Sequence, residues 1–437
     1  MTSSAAGYDP SSEVVEICSD LIAIDTSNYG DEPGPGERKA AEHVAQLLDE
    51  VGIDAELVES EPGRTSLVAR WGGDVGEPVL LHGHLDVVPA RAEDWAVHPF
   101  SGEVRDGVVW GRGAVDMKDF DAMLLSTVRA RARAGAVPSR PLVLCFTADE
   151  EAGGAKGAGH VVRTHRDLLE TCTVAVGEVG GFSTTVRDRR VYLIEAAEKG
   201  MAWMRLTARG SAGHGSMRHP DNAVSRLASA VARIGQHEWP VQLTPTMEVL
   251  LAAVADLVGT EATPDNAEAL VEEFGSAARM LAAVLRHTTN PTMLDAGYKV
   301  NVVPSEATAR VDGRFLPGRA DEFWDTIATL VGPDVEITRE VDLPGIETTY
   351  DGPVAAAMTA AILAEDPDAV VAPYLMSAGT DAKYWHDLGM RCFGFTPLRL
   401  PADLDFTALF HGVDERVPVD SLEFGARVFD RFLDELS

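Results

Sequence analysis

Two short stretches carry residue types suited to holding a metal ion. In Leu80-Leu81-His82-Gly83-His84-Leu85-Asp86 an apolar run ends in a histidine with a carboxylate two residues beyond. Thirty residues on, Gly111-Arg112-Gly113-Ala114-Val115-Asp116 supplies a second carboxylate after a glycine-rich turn. A histidine whose far ring nitrogen is held by a carboxylate is a well-oriented ligand. A lone carboxylate in a glycine-rich loop can bridge two cations. Taken alone, His84 reads rather as a packed histidine at a strand end, and it is the rest of the chain that shifts the reading.

Thr147-Ala148-Asp149-Glu150-Glu151 follows the apolar run Leu142–Phe146, Gly177-Glu178 follows Thr173–Val176, and Phe410-His411-Gly412 lies late in the chain. A single acidic residue after a strand is usually a solvated loop cap. Metal-competent residues recurring in order at strand ends are hard to read that way. Two cations ~3.5–4 Å apart need one bridging carboxylate, two terminal ligands each, and a water between them. Asp116 fits the bridge, and His84, Glu151, Glu178 and His411 fit the four terminal places. Nitrogen and oxygen donors in this mix suit zinc best, with cobalt or manganese as substitutes. Glu150 is left over beside a ligand, placed to take a proton from the water.

Elements must bring these residues together. Glu13 to Asp25 and Glu37 to Val51 have helical spacing, with a Gly/Pro loop between. The strands expected are Ser66–Trp71, Pro78–Asp86, Leu142–Thr147, Thr173–Val176 and Val191–Ala196, with a helix over Lys118 to Ala134. Strands interleaved with helices predict an α/β sandwich on a largely parallel sheet, and loops at one edge of such a sheet are where ligands gather. A second unit starts near Gly200. It has a strand over Met201–Ala208, a helix over Ala223–Gln236 and a strand pair across Lys299–Arg314 interrupted at Pro304. A helix over Glu322–Leu330 and a strand over Val335–Val341 complete it. That β-α-β-β-α-β order predicts an antiparallel sheet with helices on one face, and the Ala-rich stretch from Pro240 to Asn290 reads as a helical insertion into this unit. A chain of 437 residues exceeds what one core usually organises. The division expected is a first domain in two parts, residues 1–198 and 347–437, interrupted by a unit over 199–346.

The formal charge is −32, from 37 basic and 69 acidic side chains. This argues against nucleic acid and anionic membranes as partners, since a polyanion would be repelled, and a solvated surface that aids solubility accounts for the acidity. Cys18, Cys145, Cys172 and Cys392 lie far apart within mostly apolar runs, as expected of buried thiols in a reducing compartment. The opening Met-Thr-Ser-Ser-Ala-Ala-Gly-Tyr has no leader-like pattern and no apolar run approaches the ~20 residues that span a bilayer. The expected location is the cytoplasm.

With these motifs in this order, the chain resembles the M20 family of co-catalytic metallopeptidases, which includes glutamate carboxypeptidase, aminoacylase, acetylornithine deacetylase and succinyl-diaminopimelate desuccinylase. The resemblance runs from Ile24-Asp25-Thr26-Ser27 to the C-terminal helix. It implies a zinc-peptidase-like α/β/α catalytic domain with an inserted α+β, ferredoxin-like lid and dimerisation domain. It also implies that His84 and Glu178 serve one metal, Glu151 and His411 the other, and Asp116 both. Glu150 would be general base and then general acid, Asp86 would orient His84, and the Asp116–Met117 peptide would be cis. In the lid, Gly213-His214-Gly215 matches a motif whose histidine stabilises the developing oxyanion, often across a dimer. Asn301, Arg314 and the Gly379 backbone in Ser377-Ala378-Gly379-Thr380-Asp381 would hold the substrate carboxylate; a surface salt bridge is the other reading of Arg314. His82 is taken as packing.

The expected reaction is hydrolysis of an amide beside a free carboxylate, in a short peptide or N-acyl amino acid. The competing readings are a deacylase of a biosynthetic intermediate of the acetylornithine or succinyl-diaminopimelate type, a single-metal hydrolase, and a non-catalytic relative that only binds.

Overall fold

The computed structural model describes residues 7–436. The first six, which open the stretch read for a leader, lie outside the described residues. Among the described residues no helix is long and apolar enough to cross a membrane, and all four cysteines are buried and free.

A ten-stranded sheet forms the larger unit. Its middle is parallel, with Leu142–Thr147, Val79–His84, Val174–Gly177 and Arg391–Gly394 side by side in that order. Alternate residues of these strands enter different cores. Val79, Leu81, Leu142, Leu144 and Phe146 face the large cluster with the helices Val14–Ala23, Lys118–Ala134 and Val419–Glu435. Leu80, Val143, Cys145 and Ala175 face a smaller one with Val161 and Trp385. Both faces are covered, which is why these strands read as continuous apolar runs without alternation. Gly177 is needed in this middle because a Cβ there would sit 2.3 Å from the His82 ring. His82 thus packs between strands and against Trp385, with ring centroids 5.6 Å apart.

The expectation of a largely parallel sheet holds only for this middle. Arg64–Trp71 joins antiparallel to Leu142–Thr147, and Ala55–Glu61 pairs antiparallel outside it. Their two-residue link at Pro62-Gly63 permits only a hairpin, since parallel neighbours need a long crossover. On the other flank Arg189–Glu198 runs antiparallel to the middle and carries Phe182–Val186, Val370–Met376 and Ile346–Glu347.

The smaller unit is a four-stranded antiparallel sheet, in spatial order Thr288–Ala296, Glu306–Phe315, Gly200–Arg209 and Val335–Leu343. The helices Ala223–Gly235 and Ala320–Val331 cover one face, packing Leu227, Ile234, Phe323 and Ile327 on Met204, Leu206 and Val311. This is the ferredoxin-like arrangement expected. One strand was misplaced by the sequence, because the long edge strand begins at Thr288, inside the stretch taken as helical, and residues 299–305 hold only the two-residue strand Val302–Val303.

The helical insertion also packs elsewhere than expected. Met247, Leu250, Leu251 and Val254 of Pro245–Val258, with Leu270, Phe274 and Leu281, join the core of the larger unit and cover Val370–Met376. The chain therefore leaves the small unit after the first helix and returns at Thr288. Aromatic packing marks this junction. Trp239 stacks on Phe323 at 5.3 Å and meets the His287 ring at 4.8 Å, and its indole donates to Thr289 Oγ1 at 3.1 Å. Lys199, where the two sheets meet, donates to the carbonyls of Ala283 (3.0 Å) and Arg286 (2.8 Å) and to Thr288 Oγ1 (3.2 Å).

His287 is 1% exposed and its Nδ1 accepts the Leu316 N–H at 3.0 Å. Burial, reinforced by the Lys199 charge, lowers its pKa from 6.5 to about 4. A depressed histidine contributes stability that is complete above the ordinary value and lost as pH falls toward the folded one. The junction should therefore lose roughly 3 kcal/mol between pH 6.5 and 4. His287→Gln keeps an acceptor for Leu316 and removes the protonatable ring. Urea midpoints of wild type and variant should converge on acidification from pH 7.5 to 4.5; a gap independent of pH would refute this role.

Candidate metal centre

The parallel middle strands end at one edge of the sheet, and the candidate ligands emerge there. His84 is the last residue of Val79–His84, Glu150 and Glu151 follow Leu142–Thr147 after two residues, and Glu178 directly follows Val174–Gly177. Non-glycine residues in the left-handed region mark the sharp exits: Asp149 (φ 66°) before Glu150, Val179 (φ 53°) after Glu178, and His411 itself (φ 57°). Such conformations cost energy and persist where surroundings impose them, characteristically at functional sites.

Asp116 and His411 arrive on loops that one buried side chain ties together. The Glu415 carboxylate, 0% exposed, accepts from the Val115 N–H at 2.8 Å and from the Arg112 guanidinium at 2.6 Å. Arg112 also donates to the His411 carbonyl at 3.4 Å. The Asp116–Met117 peptide is cis.

The result is two triads sharing one carboxylate. His84 Nε2 lies 3.1 Å from Asp116 Oδ1 and 3.3 Å from Glu178 Oε2. His411 Nε2 lies 3.2 Å from Asp116 Oδ2 and 3.1 Å from Glu151 Oε2. Each oxygen of Asp116 thus faces a different histidine, as a bridging ligand must. In both sets, His84-Asp116-Glu178 and Asp116-Glu151-His411, the ligand atoms all fall within 4.8 Å of one another. Glu150 Oε2 stands 4.0 Å from His84 Nε2, close to both triads and a member of neither.

Asp86 acts differently from expectation. His84 Nδ1 is bonded to the main-chain carbonyl of Asp86 at 2.9 Å, with the nearer carboxylate oxygen at 3.7 Å. That carbonyl requires the proton on Nδ1 and leaves Nε2 free for a cation. The Asp86 carboxylate instead accepts the N–H groups of Glu150 and Glu151, each at 3.1 Å, and the Asn28 amide at 2.8 Å. Asn28 is oriented in turn by Arg64, whose guanidinium donates to Asn28 Oδ1 at 2.6 Å and pairs with buried Glu37. Asp86 therefore fixes the turn that presents both glutamates.

Electrostatics test whether divalent cations suit these residues. Burial and the Asp116 charge push Glu151 up to about 7, and burial with the Glu178 charge holds Glu150 well above the carboxylate range. Burial raises Glu178 as well. Hydrogen bonds from His411 and His84 overcome burial at Asp116 and hold it low, and the same bonds to Asp116 and Glu151 raise His411 to about 10. Glu151 Oε1 is buried without a hydrogen bond. Clustered carboxylates of raised pKa, an orphaned oxygen and two imidazoles form a donor set that a pair of divalent cations would neutralise.

The remaining predicted residues lie outside these triads. His214 is exposed on the small unit, beside Val302, with Nδ1 at 2.8 Å from Ser216 Oγ. Asn301 is exposed nearby and accepts the Gly215 N–H at 2.9 Å through its carbonyl. Arg314 forks onto Asp312 at 2.8 and 3.2 Å, which fits the salt-bridge reading. Gly379 sits in a loop anchored by Thr380, whose N–H donates to buried Glu198 at 3.0 Å, and by Asp381, which accepts from Thr147 Oγ1 at 2.7 Å. Asn28, Arg64, Glu198 and Glu415 went unremarked in the sequence, and Asp381 was named only as part of the Gly379 loop. No local pattern marks them, because each acts on a residue distant in the chain.

The chain matches the model of "Peptidase family M20/M25/M40" over residues 80–435. It is 29% identical over 384 residues to "Probable carboxypeptidase S-like 2" of Dictyostelium discoideum, covering 81% of this chain and 71% of that one. It is 27% identical over 452 residues to "N-fatty-acyl-amino acid synthase/hydrolase PM20D1" of Xenopus tropicalis, covering 94% and 83%. Among solved structures, the M20 family metallo-carboxypeptidase Sso-CP2 from Sulfolobus solfataricus superposes with a TM-score of 0.71 at 16% identity, covering 96% of this chain and 98% of that one. The protein belongs to peptidase family M20/M25/M40 and is a metal-dependent hydrolase.

Proposed function

We propose that the protein hydrolyses the amide bond of N-acyl amino acids or short peptides carrying a free carboxylate next to that bond. The observation behind this reading is the pair of triads joined through Asp116 with Glu150 beside them. His84, Asp116 and Glu178 would hold one divalent ion, and Asp116, Glu151 and His411 the other, with zinc the best match to these donors. Bound there, two such ions supply Lewis-acid polarisation of the scissile carbonyl and acidify the attacking water.

The chain's own groups do the rest. Glu150, whose carboxyl is held well above its ordinary range by burial and by the Glu178 charge, accepts the proton of the attacking water and passes it to the leaving nitrogen. Asp86 holds the Glu150 backbone so that this carboxylate cannot swing away. The four-stranded unit acts as a lid in this scheme. His214 would meet the developing oxyanion, and Asn301, Arg314 and the Gly379 backbone would hold the substrate carboxylate. We further propose a homodimer through the inserted unit, with His214 reaching the partner's centre. The names of the relatives, a carboxypeptidase and an N-fatty-acyl-amino acid hydrolase, accord with both substrate types.

Glu150→Gln should keep two metal equivalents by elemental analysis while kcat on N-acetyl amino acids and dipeptides falls about 10²–10⁴-fold; a rate within tenfold of wild type would remove it as the base. Asp116→Ala should lower the affinity for both ions together, because both lose a ligand. Retention of one ion at wild-type affinity would show that the carboxylate does not bridge. Mixing His214→Ala with Glu150→Ala should restore part of the activity that each lacks alone, and no recovery would place the histidine's action within one chain.

A further inference from the structure

Lys383 is the one buried cation without a partner among the described residues. It lies on the short helix Ala382–His386 and is 7% exposed, yet its ammonium makes no hydrogen bond or ion pair. The other buried cations are all engaged. Lys118 donates to the carbonyls of Leu21 and Ile24, Lys199 to three oxygens, and Arg64, Arg112, Arg129 and Arg131 to carboxylates. An ammonium held here without a direct bond keeps its three donors free for an anion from outside the chain.

Its position says which anion. The charge of Lys383 acts on Glu178, a ligand of the first triad, and on Glu198 and Asp381. Those last two carboxylates are already occupied by Thr380 and Thr147. Lys383 Nζ and Glu198 Oε2 lie 3.3 and 3.5 Å from the point where a side chain on Gly379 would begin. The absence of a side chain at 379 therefore leaves the ammonium accessible from the loop. Arg314, the carboxylate holder proposed above, lies on the small unit, and Lys383 would be the larger unit's own cation for the same group. In a chain of net charge −32, a buried ammonium beside this edge is a fixed cation suited to an anionic group of the substrate.

We propose that Lys383 receives the free carboxylate of the substrate from the catalytic side, with Gly379 leaving the space for it. This rests on the amide-hydrolysis reading above and makes Lys383 the residue that selects acids over neutral amides. The ammonium acts as a point charge with rotatable donors, so it sets charge preference more than shape.

The test compares an N-acetyl amino acid with its carboxamide, both with the metal-loaded enzyme. Lys383→Met should raise KM for the acid roughly 10–100-fold, the usual worth of a charge-assisted hydrogen bond, with kcat and the rate on the carboxamide little changed. Lys383→Arg should recover most of the loss. Lys383→Gln, which keeps donors but removes the charge, should penalise the acid in the same selective way and serves as the second variant if Lys383→Met does not fold. Equal losses on acid and carboxamide, or none, would overturn the assignment. Calorimetric binding of an uncleavable N-alkyl amino acid separates the two ideas. An inactive wild type defeats the amide reading, whereas unchanged affinity in Lys383→Met and Lys383→Gln defeats the role of Lys383.

Discussion

The like charge of the carboxylates gathered at one sheet edge is the constraint around which the rest is arranged. Glu150, Glu151, Glu178 and Asp116 would repel one another strongly in a buried site. The fold meets that repulsion with fixed groups. Two imidazoles grip the Asp116 oxygens, Asp86 pins the Glu150-Glu151 turn by two main-chain bonds, and Glu415 locks the loops of Asp116 and His411 together. The Asp86 and Glu415 restraints are themselves buried and partnered, as with Asn28, Arg64 and Glu37 behind Asp86. A centre assembled this way is held in shape before any ion arrives, which lowers the cost of ordering ligands on binding.

The candidate ligands His84, Glu151 and Glu178 could be placed from the sequence because each ends or follows a strand that announces itself as a short apolar run, and parallel strands deliver their exits to one edge. Asp116 was legible through its glycine-rich turn. The role of Asp86 was only half visible. Its proximity to His84 in sequence suggested a carboxylate–imidazole contact, but the main-chain carbonyl made that bond and the carboxylate turned to residues sixty positions away. Lys383 and Glu415 were hidden for a related reason, since nothing within a few residues of either hints at what it faces. The edge strand from Thr288 was lost because Thr-Thr-Asn-Pro-Thr-Met-Leu carries a proline and no buried stripe. Its residues are mostly exposed, so the alternation that betrays a half-buried strand is absent.

Helix periodicity between Pro240 and Asn290 was read correctly and its destination was not. An apolar helix face says only that something covers it. Leu250, Leu251 and Val254 could have closed on either sheet, and they close on Val370–Met376, beside the strand that carries Glu198. The insertion therefore thickens the larger unit rather than the four-stranded one.

That choice of partner has a mechanical result. The chain passes between the halves four times, at Lys199, between Gly235 and Pro245, near His287, and between Leu343 and Ile346. The passages are laced to one another. Lys199 grips Ala283, Arg286 and Thr288, Trp239 bonds Thr289, and Gly345 packs so tightly on Gly200 that a side chain would come within 2.8 Å of its nitrogen. Four cords tied at one knot form a single joint. Severing any one of them would leave the small unit tethered by the other three.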